Sequence, residues 1–266
     1  MIGVEIGSQV RTLAIALITF VVMSEAHAVQ NHEIRSTPLR IAVATNFAPI
    51  LDEIAHEFTD ATRIELSVIT GSTGKLYAQI KNGMDVDLFL SADQIRVRRL
   101  VNDDLTISDT VSTYAEGRLV WWQPDSQQDV DWQKRLKVGS DVKVIAHAQP
   151  DLAPYGLAAV QALSKCFQLD RSNIGFVQGE NVGQAYAYVA TGNADAGLVA
   201  LSNIKLAATV PRQSYSLVPD ACHDPIKQDA VVLRTSQNVI VARRFLEFLF
   251  TEEIQQRIAK YGYQIP

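Results

Sequence analysis

From Leu39 onward, short runs rich in β-branched residues alternate with longer amphipathic stretches, and this rhythm constrains the fold more than any single motif. Leu39-Arg-Ile-Ala-Val-Ala44, Ile64-Glu-Leu-Ser-Val-Ile69, Asp87-Leu-Phe-Leu90, Ile174-Gly-Phe-Val177 and Ala196-Gly-Leu-Val-Ala200 each read as a strand. Helical patterns lie between them, so the expectation is an α/β chain whose parallel sheets carry helices on both faces. Ile50, Leu51, Ile54, Ala55 and Phe58 share one face of the first helix, with Pro49 near its N1 position. Ser91 is expected to cap a helix carrying Ile95, Val97, Leu100 and Val101, and Asn181 to cap a helix from Val182 to Thr191 that stops at Gly192. Asn102 to Gly117 reads as turn-rich. Val239 to Tyr261 reads as helical, re-capped at Thr251.

Where the strands resume after Gly117, and again near Gln228, the chain is expected to cross between two lobes that enclose a ligand cleft. The boundaries this gives are 38–118 for the first part of lobe 1, 119–228 for lobe 2, and 229–266 for the return to lobe 1. Residues 1–28 read as a secretory signal. Arg11 precedes the apolar run Thr12 to Val22, and Ala26-His27-Ala28 offers a small-x-small cleavage site. That run falls short of the ~20 residues a bilayer span needs. The expected location is therefore the periplasm, although Glu5 is unusual for such a segment and Met23 is an alternative start.

A formal net charge of −5, with no clustered Lys and Arg, excludes a nucleic-acid-binding stripe. Cys166 and Cys222 form a candidate disulfide in an oxidising compartment, with two separate buried thiols as the alternative. His223 and Asp224 lie nearby without zinc-ligand spacing, so no residue is expected to serve as a direct metal-cation ligand.

Two strand-to-helix junctions carry chemistry. Thr70-Gly-Ser-Thr-Gly-Lys-Leu76 joins a strand to a helix, and Thr45-Asn46-Phe47 follows the first strand. Unpaired N–H groups and the positive end of a helix dipole favour an anion at such places. Ser72 and Thr73 can equally be an ordinary N-cap pair, and Asn46 a cap of the first helix. A nucleotide loop does not fit, because Ile69 stands where Gly is required and Leu76 where Ser or Thr is required. Lys75 then belongs on the helix surface, solvated or paired. Asp87 and Asp93 fall near the cleft edge, with a strand-end turn and a first-turn helix charge as their plainer roles.

Taken in order, Ala44-Thr45-Asn46-Phe47, Gly71-Ser-Thr-Gly-Lys-Leu76, Asp85 to Asp93, Pro154-Tyr155-Gly156, Asn181-Val182, Ala194 to Val199 and the closing Tyr261-Gly262-Tyr263 resemble the periplasmic molybdate-binding proteins. These are the receptors of molybdate ABC importers. The resemblance runs from about Leu39 to Pro266 and implies a two-lobed periplasmic solute-binding protein fold of type II. It also implies molybdate or tungstate as ligand, no cofactor, a membrane permease as partner, and a monomer that is not an enzyme. The matching ligand-binding positions are Thr45, Asn46, Ser72, Thr73, Tyr155 and Val182. Some members carry Ser where Asn46 stands and a binding Tyr where Ala200 stands; this chain is similar to those with the Thr-Asn pair and a Tyr at position 155.

Molybdate presents only acceptor oxygens, so donors suffice to hold it: the hydroxyls of Thr45, Thr73 and Tyr155 with the amides of Asn46, Thr73, Tyr155 and Val182. Phosphate, which keeps a proton on part of its population near neutral pH, would gain from a buried acceptor. Another tetrahedral oxyanion such as sulfate, or a two-lobed sensor module, remains an alternative. A serine hydrolase built on Ser72 lacks both a G-x-S-x-G elbow and a placed His.

Overall fold

A computed structural model describes residues 37–124, 142–167, 174–207, 210–211 and 214–266. The expected signal segment, residues 1–28, lies outside the described residues. The first set of elements comprises β1 (Leu39–Ala44), α1 (Ala48–Thr62), β2 (Leu66–Gly71), α2 (Thr73–Lys81), β3 (Leu88–Leu90), α3 (Ile95–Asn102) and β4 (Ser112–Gly117). After β4 the chain enters β5 (Leu119–Trp122), β6 (Val144–Ala148), α4 (Pro154–Lys165), β7 (Gly175–Gly179), α5 (Val182–Ala190), β8 (Ala196–Ala200), α6 (Leu201–Leu206) and β9 (Tyr215–Leu217). It then returns through β10 (Ile226–Val232) to α7 (Val239–Leu249) and α8 (Glu252–Lys260).

The strands form two five-stranded sheets, ordered β2-β1-β3-β10-β4 and β7-β6-β8-β5-β9. In the first, β1 pairs in parallel with β2 and β3, while β10 runs antiparallel to β3 and β4. The second repeats that plan: β6 is parallel to β7 and β8, and β5 is antiparallel to β8 and β9. Both sheets are therefore mixed rather than parallel as expected, because β10 and β5 each enter from the other lobe against the direction of their neighbours. Each sheet is the heart of one lobe.

Alternation of side chains along β1 explains the layering. Leu39, Ile41 and Val43 pack with Ile50, Ile54 and Phe58 of α1 and with Phe245 and Leu249 of α7. Ala42 points the other way, toward Leu76 of α2 and Val97 of α3. Successive strand residues face opposite sides, so apolar runs of this kind need helices on both faces. In the second lobe Trp121, Ile145 and Leu198 fill a separate core with α4 and α5. Cys166 and Cys222 are disulfide-bonded across 56 positions, with Cα atoms 5.7 Å apart, tying the end of α4 to the segment that precedes β10.

The structure corrects several local expectations. The stretch from Asn102 to Gly117 contains β4, whose Ser-Thr-Tyr-Ala-Glu-Gly composition hides a strand that owes its place to pairing with β10. Gln94, not Ser91, stands at the N-cap of α3; Ser91 Oγ turns to Asp93, whose carboxylate accepts from Arg96 N at 2.9 Å. Val239 to Tyr261 divides at Thr251 into two helices as expected, but Thr251 donates back to Phe248 O (2.8 Å) rather than capping α8 with its side chain. Asp87 is buried just before β3, at the opposite end of that strand from the cleft. There it accepts from Arg40 N (2.8 Å), Ser236 Oγ (2.7 Å) and Asn238 Nδ2 (3.3 Å), as a structural strut.

Candidate anion site between the lobes

Parallel strands followed by helices deliver helix N-termini to the carboxyl ends of the strands, where ligands of open α/β sheets bind. Here β1, β2, β6 and β7 end at Ala44, Gly71, Ala148 and Gly179, and α1, α2, α4 and α5 begin just beyond. Thr45 N donates to Gly71 O (3.2 Å), so the ends of β1 and β2 are tied and Thr45-Asn46 sits beside Ser72-Thr73. Across the cleft, a Cβ placed on Gly183 would stand 3.7 Å from Thr45 Cβ and 4.0 Å from Thr45 Oγ1, which brings the start of α5 against the first lobe.

At the start of α2, neither the Ser72 nor the Thr73 hydroxyl donates to a partner among the described residues. Ser72 holds the N-cap position of α2 without capping it, and is 2 % exposed with no hydrogen-bond partner for its Oγ among the described residues. Leaving a buried hydroxyl unpaired costs about 1–3 kcal/mol, and such a group in a native fold calls for a partner. Thr73 Oγ1 accepts from Ala92 N at 3.1 Å, and its own proton is left to give. Ser72 therefore does not play the ordinary N-cap role that its sequence position allows, and α1 likewise has no side-chain cap at Phe47.

The second lobe offers backbone instead. Pro154 opens α4 and has no N–H, so the first free amide of that helix belongs to Tyr155. Val182 opens α5, whose N-cap Asn181 accepts from Gln184 N at 3.0 Å and leaves the Val182 N–H unpaired within the helix.

Below these groups lies a buried polar cluster that sequence reasoning did not find. Asn46 Nδ2 donates to Gln228 Oε1 and to Tyr263 Oη, each at 2.9 Å. Tyr263 Oη and Ser202 Oγ in turn approach Asn46 O at 2.9 and 3.2 Å. Tyr114 Oη donates to Gln228 Oε1 (3.0 Å), and Gln228 Nε2 reaches Tyr155 Oη at 3.5 Å. Asn46 thus has its carboxamide committed inward, and of its donors only the backbone N–H is left for a ligand.

The Tyr155 hydroxyl also faces this cluster and lies against Gly117. A Cβ at Gly117 would fall 2.1 Å from Tyr155 Oη and 2.7 Å from Gln228 Nε2, so the crossing strand must be bare there. Burial pushes the hydroxyls of Tyr114 and Tyr155 well above the ordinary tyrosine range and that of Tyr263 up to about 12, so the cluster keeps its protons at neutral pH. Because its members come from residue pairs as far apart as 217 positions, no local pattern announces it.

The sequence-predicted positions Thr45, Asn46, Ser72, Thr73 and Val182 are all found at the strand-end junctions around the cleft, with the Tyr155 amide beside them and its hydroxyl turned away. Lys75 of α2 and Glu180 just before α5, which flank two of the junctions, pair with each other. No group of His, Cys, Asp and Glu able to hold a metal cation occurs among the described residues. What the arrangement can do chemically is surround a small anion with neutral donors.

Comparison with known proteins agrees with this geometry. The family described as "Bacterial extracellular solute-binding protein" matches residues 39–264. The molybdate-binding protein ModA of Rhodobacter capsulatus is 37% identical over 224 residues, covering 84% of this chain and 86% of that protein. ModA of Azotobacter vinelandii is 34% identical over 229 residues, covering 86% and 90%. The solved periplasmic molybdate-binding protein of A. vinelandii superposes with a TM-score of 0.79 at 33% identity, covering 86% of this chain and 99% of that one. The chain belongs to the bacterial extracellular solute-binding protein family, in the company of the ModA proteins.

Proposed function

We propose that this protein is a periplasmic receptor that captures molybdate between its lobes and delivers it to the membrane permease of an ABC importer. It works as a monomer, and it binds its ligand rather than transforming it. The observation that carries the reading is the pair of buried hydroxyls at the start of α2: Ser72 Oγ without a partner among the described residues, and Thr73 Oγ1, which accepts from Ala92 N and keeps its proton to give. Such a site has hydroxyl protons to give, which suits a fully deprotonated dianion.

Thr45, Ser72 and Thr73 supply hydroxyls, and Asn46, Thr73, Tyr155 and Val182 supply amides. A hydrogen bond to a charged partner contributes about 1.5–3 kcal/mol net, and a helix N-terminus about 0.3–1 kcal/mol more. Several together offset the cost of desolvating the dianion. Tungstate, with the same charge and shape, is expected to use the same donors. Hydrogen phosphate would gain from a buried acceptor for its own proton, whereas sulfate is proton-free and smaller than molybdate, so discrimination against it rests on the size of the cavity. Kinship with proteins named for molybdate binding in R. capsulatus and A. vinelandii supports the choice of ligand.

Titration calorimetry and thermal melts with molybdate, tungstate, sulfate and phosphate test the reading. Molybdate and tungstate should raise Tm according to RT ln(1 + [L]/Kd), with much smaller shifts from the other two. A flat melt with molybdate, or a larger shift with phosphate, would refute it.

A further inference from the structure

The opening turn of α2 does more than face the cleft. Gly74 N donates to Leu152 O at 2.8 Å, in the connection from β6 to α4. One residue on, Lys75 Nζ meets Glu180 Oε1 at 3.0 Å, in the connection from β7 to α5. The start of the first-lobe helix is thus held by two loops of the second lobe. Glu180 is itself anchored, because its backbone N donates to Gln184 Oε1 at 2.6 Å and Asn181 beside it caps α5. On the Leu152 side, Arg96 also crosses to the second lobe by donating to Asp151 O, but its charge is already met within its own lobe by Asp93. Lys75 has no such partner in its own lobe among the described residues, and its only ion pair crosses the cleft.

We propose that Lys75 and Glu180 form an electrostatic latch that acts on both rates of the anion site, an inference that rests on the receptor reading above. With the lobes parted, Glu180 moves away with the second lobe, and Lys75 stands bare two residues from Thr73. A chain of formal charge −5 repels a dianion at long range, but within a screening length of about 8 Å the local cation dominates and draws the anion in. With the lobes closed, Glu180 neutralises Lys75 and ties the mouth shut. The bound ion is then kept by neutral donors, and the latch slows its escape. Lys75 and Glu180 have side chains 53% and 43% exposed, so the pair is a modest, salt-sensitive lock rather than a structural bridge.

Rapid-mixing fluorescence with molybdate, at low and high salt, separates the roles in the full protein. Lys75→Met should lower the association rate by about threefold and flatten its salt dependence. Glu180→Gln should leave association undiminished and raise the dissociation rate about two- to fivefold. The exchanged pair, Lys75→Glu with Glu180→Lys, should recover slow dissociation while association stays slow, because the charge left on α2 in the open state is now negative. Unchanged rates in the single variants, or an exchanged pair that recovers both rates, would overturn the latch while leaving the receptor reading intact. Failure of the unsubstituted protein to respond to molybdate at all would remove the receptor reading and the latch with it.

Discussion

The two walls of the cleft reach one end by different means. The first lobe presents side-chain hydroxyls at helices without side-chain caps, whereas the second presents backbone amides, with Tyr155 and Asn181 using their side chains elsewhere. The second lobe is also stapled by Cys166–Cys222, and the first has no disulfide. A donor carried by a side chain can be removed by one substitution, while a donor carried by the main chain survives most of them. Affinity should therefore be fragile on the first wall and robust on the second, while stability should respond to the staple and the buried cluster.

The largest effect on stability is expected from reducing the disulfide. Opening a cross-link of this span should cost about 2–4 kcal/mol of folding free energy, read in urea melts, with little change in molybdate affinity for the protein that stays folded. A large loss of affinity on mild reduction would mean that the staple holds the site itself. Next comes Ser72→Ala, which should weaken molybdate about 10- to 100-fold while leaving the ligand-free protein as stable as before or slightly more so. That opposite movement is the signature of a buried donor kept for a ligand; parallel losses in calorimetry and melting would make Ser72 a structural residue. Thr73→Val should weaken binding by at least about tenfold.

Gly74→Ala sharpens the comparison at the seam. Its Cβ would stand 3.0 Å from both Leu152 Cα and Leu152 O, so closure must give way by a few tenths of an ångström. We expect affinity to fall by up to about tenfold with the ligand-free Tm unchanged, because the clash arises only when the lobes meet. Tyr155→Phe should show the reverse pattern, with affinity within about threefold of the parent and stability lower by about 1 kcal/mol, since Gln228 Nε2 loses its acceptor.

The smallest effect is alkaline. Tyr263 has its folded pKa raised to about 12, above the usual tyrosine value near 10, so its protonated form favours the folded state. That contribution is fully present below about pH 10 and is lost as pH climbs toward about 12. Tyr263→Phe should shrink the alkaline slope of stability in urea melts between those limits; an unaltered slope would assign the loss to other groups.

Much of this plan was legible in the sequence because it depends on local order. Strand-helix alternation set the two sheets, and the hydroxyls of Ser72 and Thr73 stood where a strand turns into a helix. What was not legible depends on distance along the chain. Gln228 read only as part of a strand, yet it links Asn46, Tyr114 and Tyr155, and Tyr263 reaches Asn46 from the far end of the chain. β4 was hidden by its polar residues, because an edge strand owes its place to its pairing with β10 more than to its own hydrophobicity. The inward turn of the Tyr155 hydroxyl follows from the bare backbone at Gly117, which only the assembled lobes reveal.

The central claim is that neutral donors at helix mouths hold a dianion between the lobes. Its most direct test is a crystal structure with molybdate, using the metal's anomalous signal to locate the ion. The account predicts a tetrahedral ion with its oxygens about 2.6–3.1 Å from Ser72 Oγ, Thr73 Oγ1 and the amides of Asn46, Tyr155 and Val182. An ion gripped instead by Lys or Arg side chains, or one bound elsewhere with Ser72 Oγ left unpaired, would contradict it.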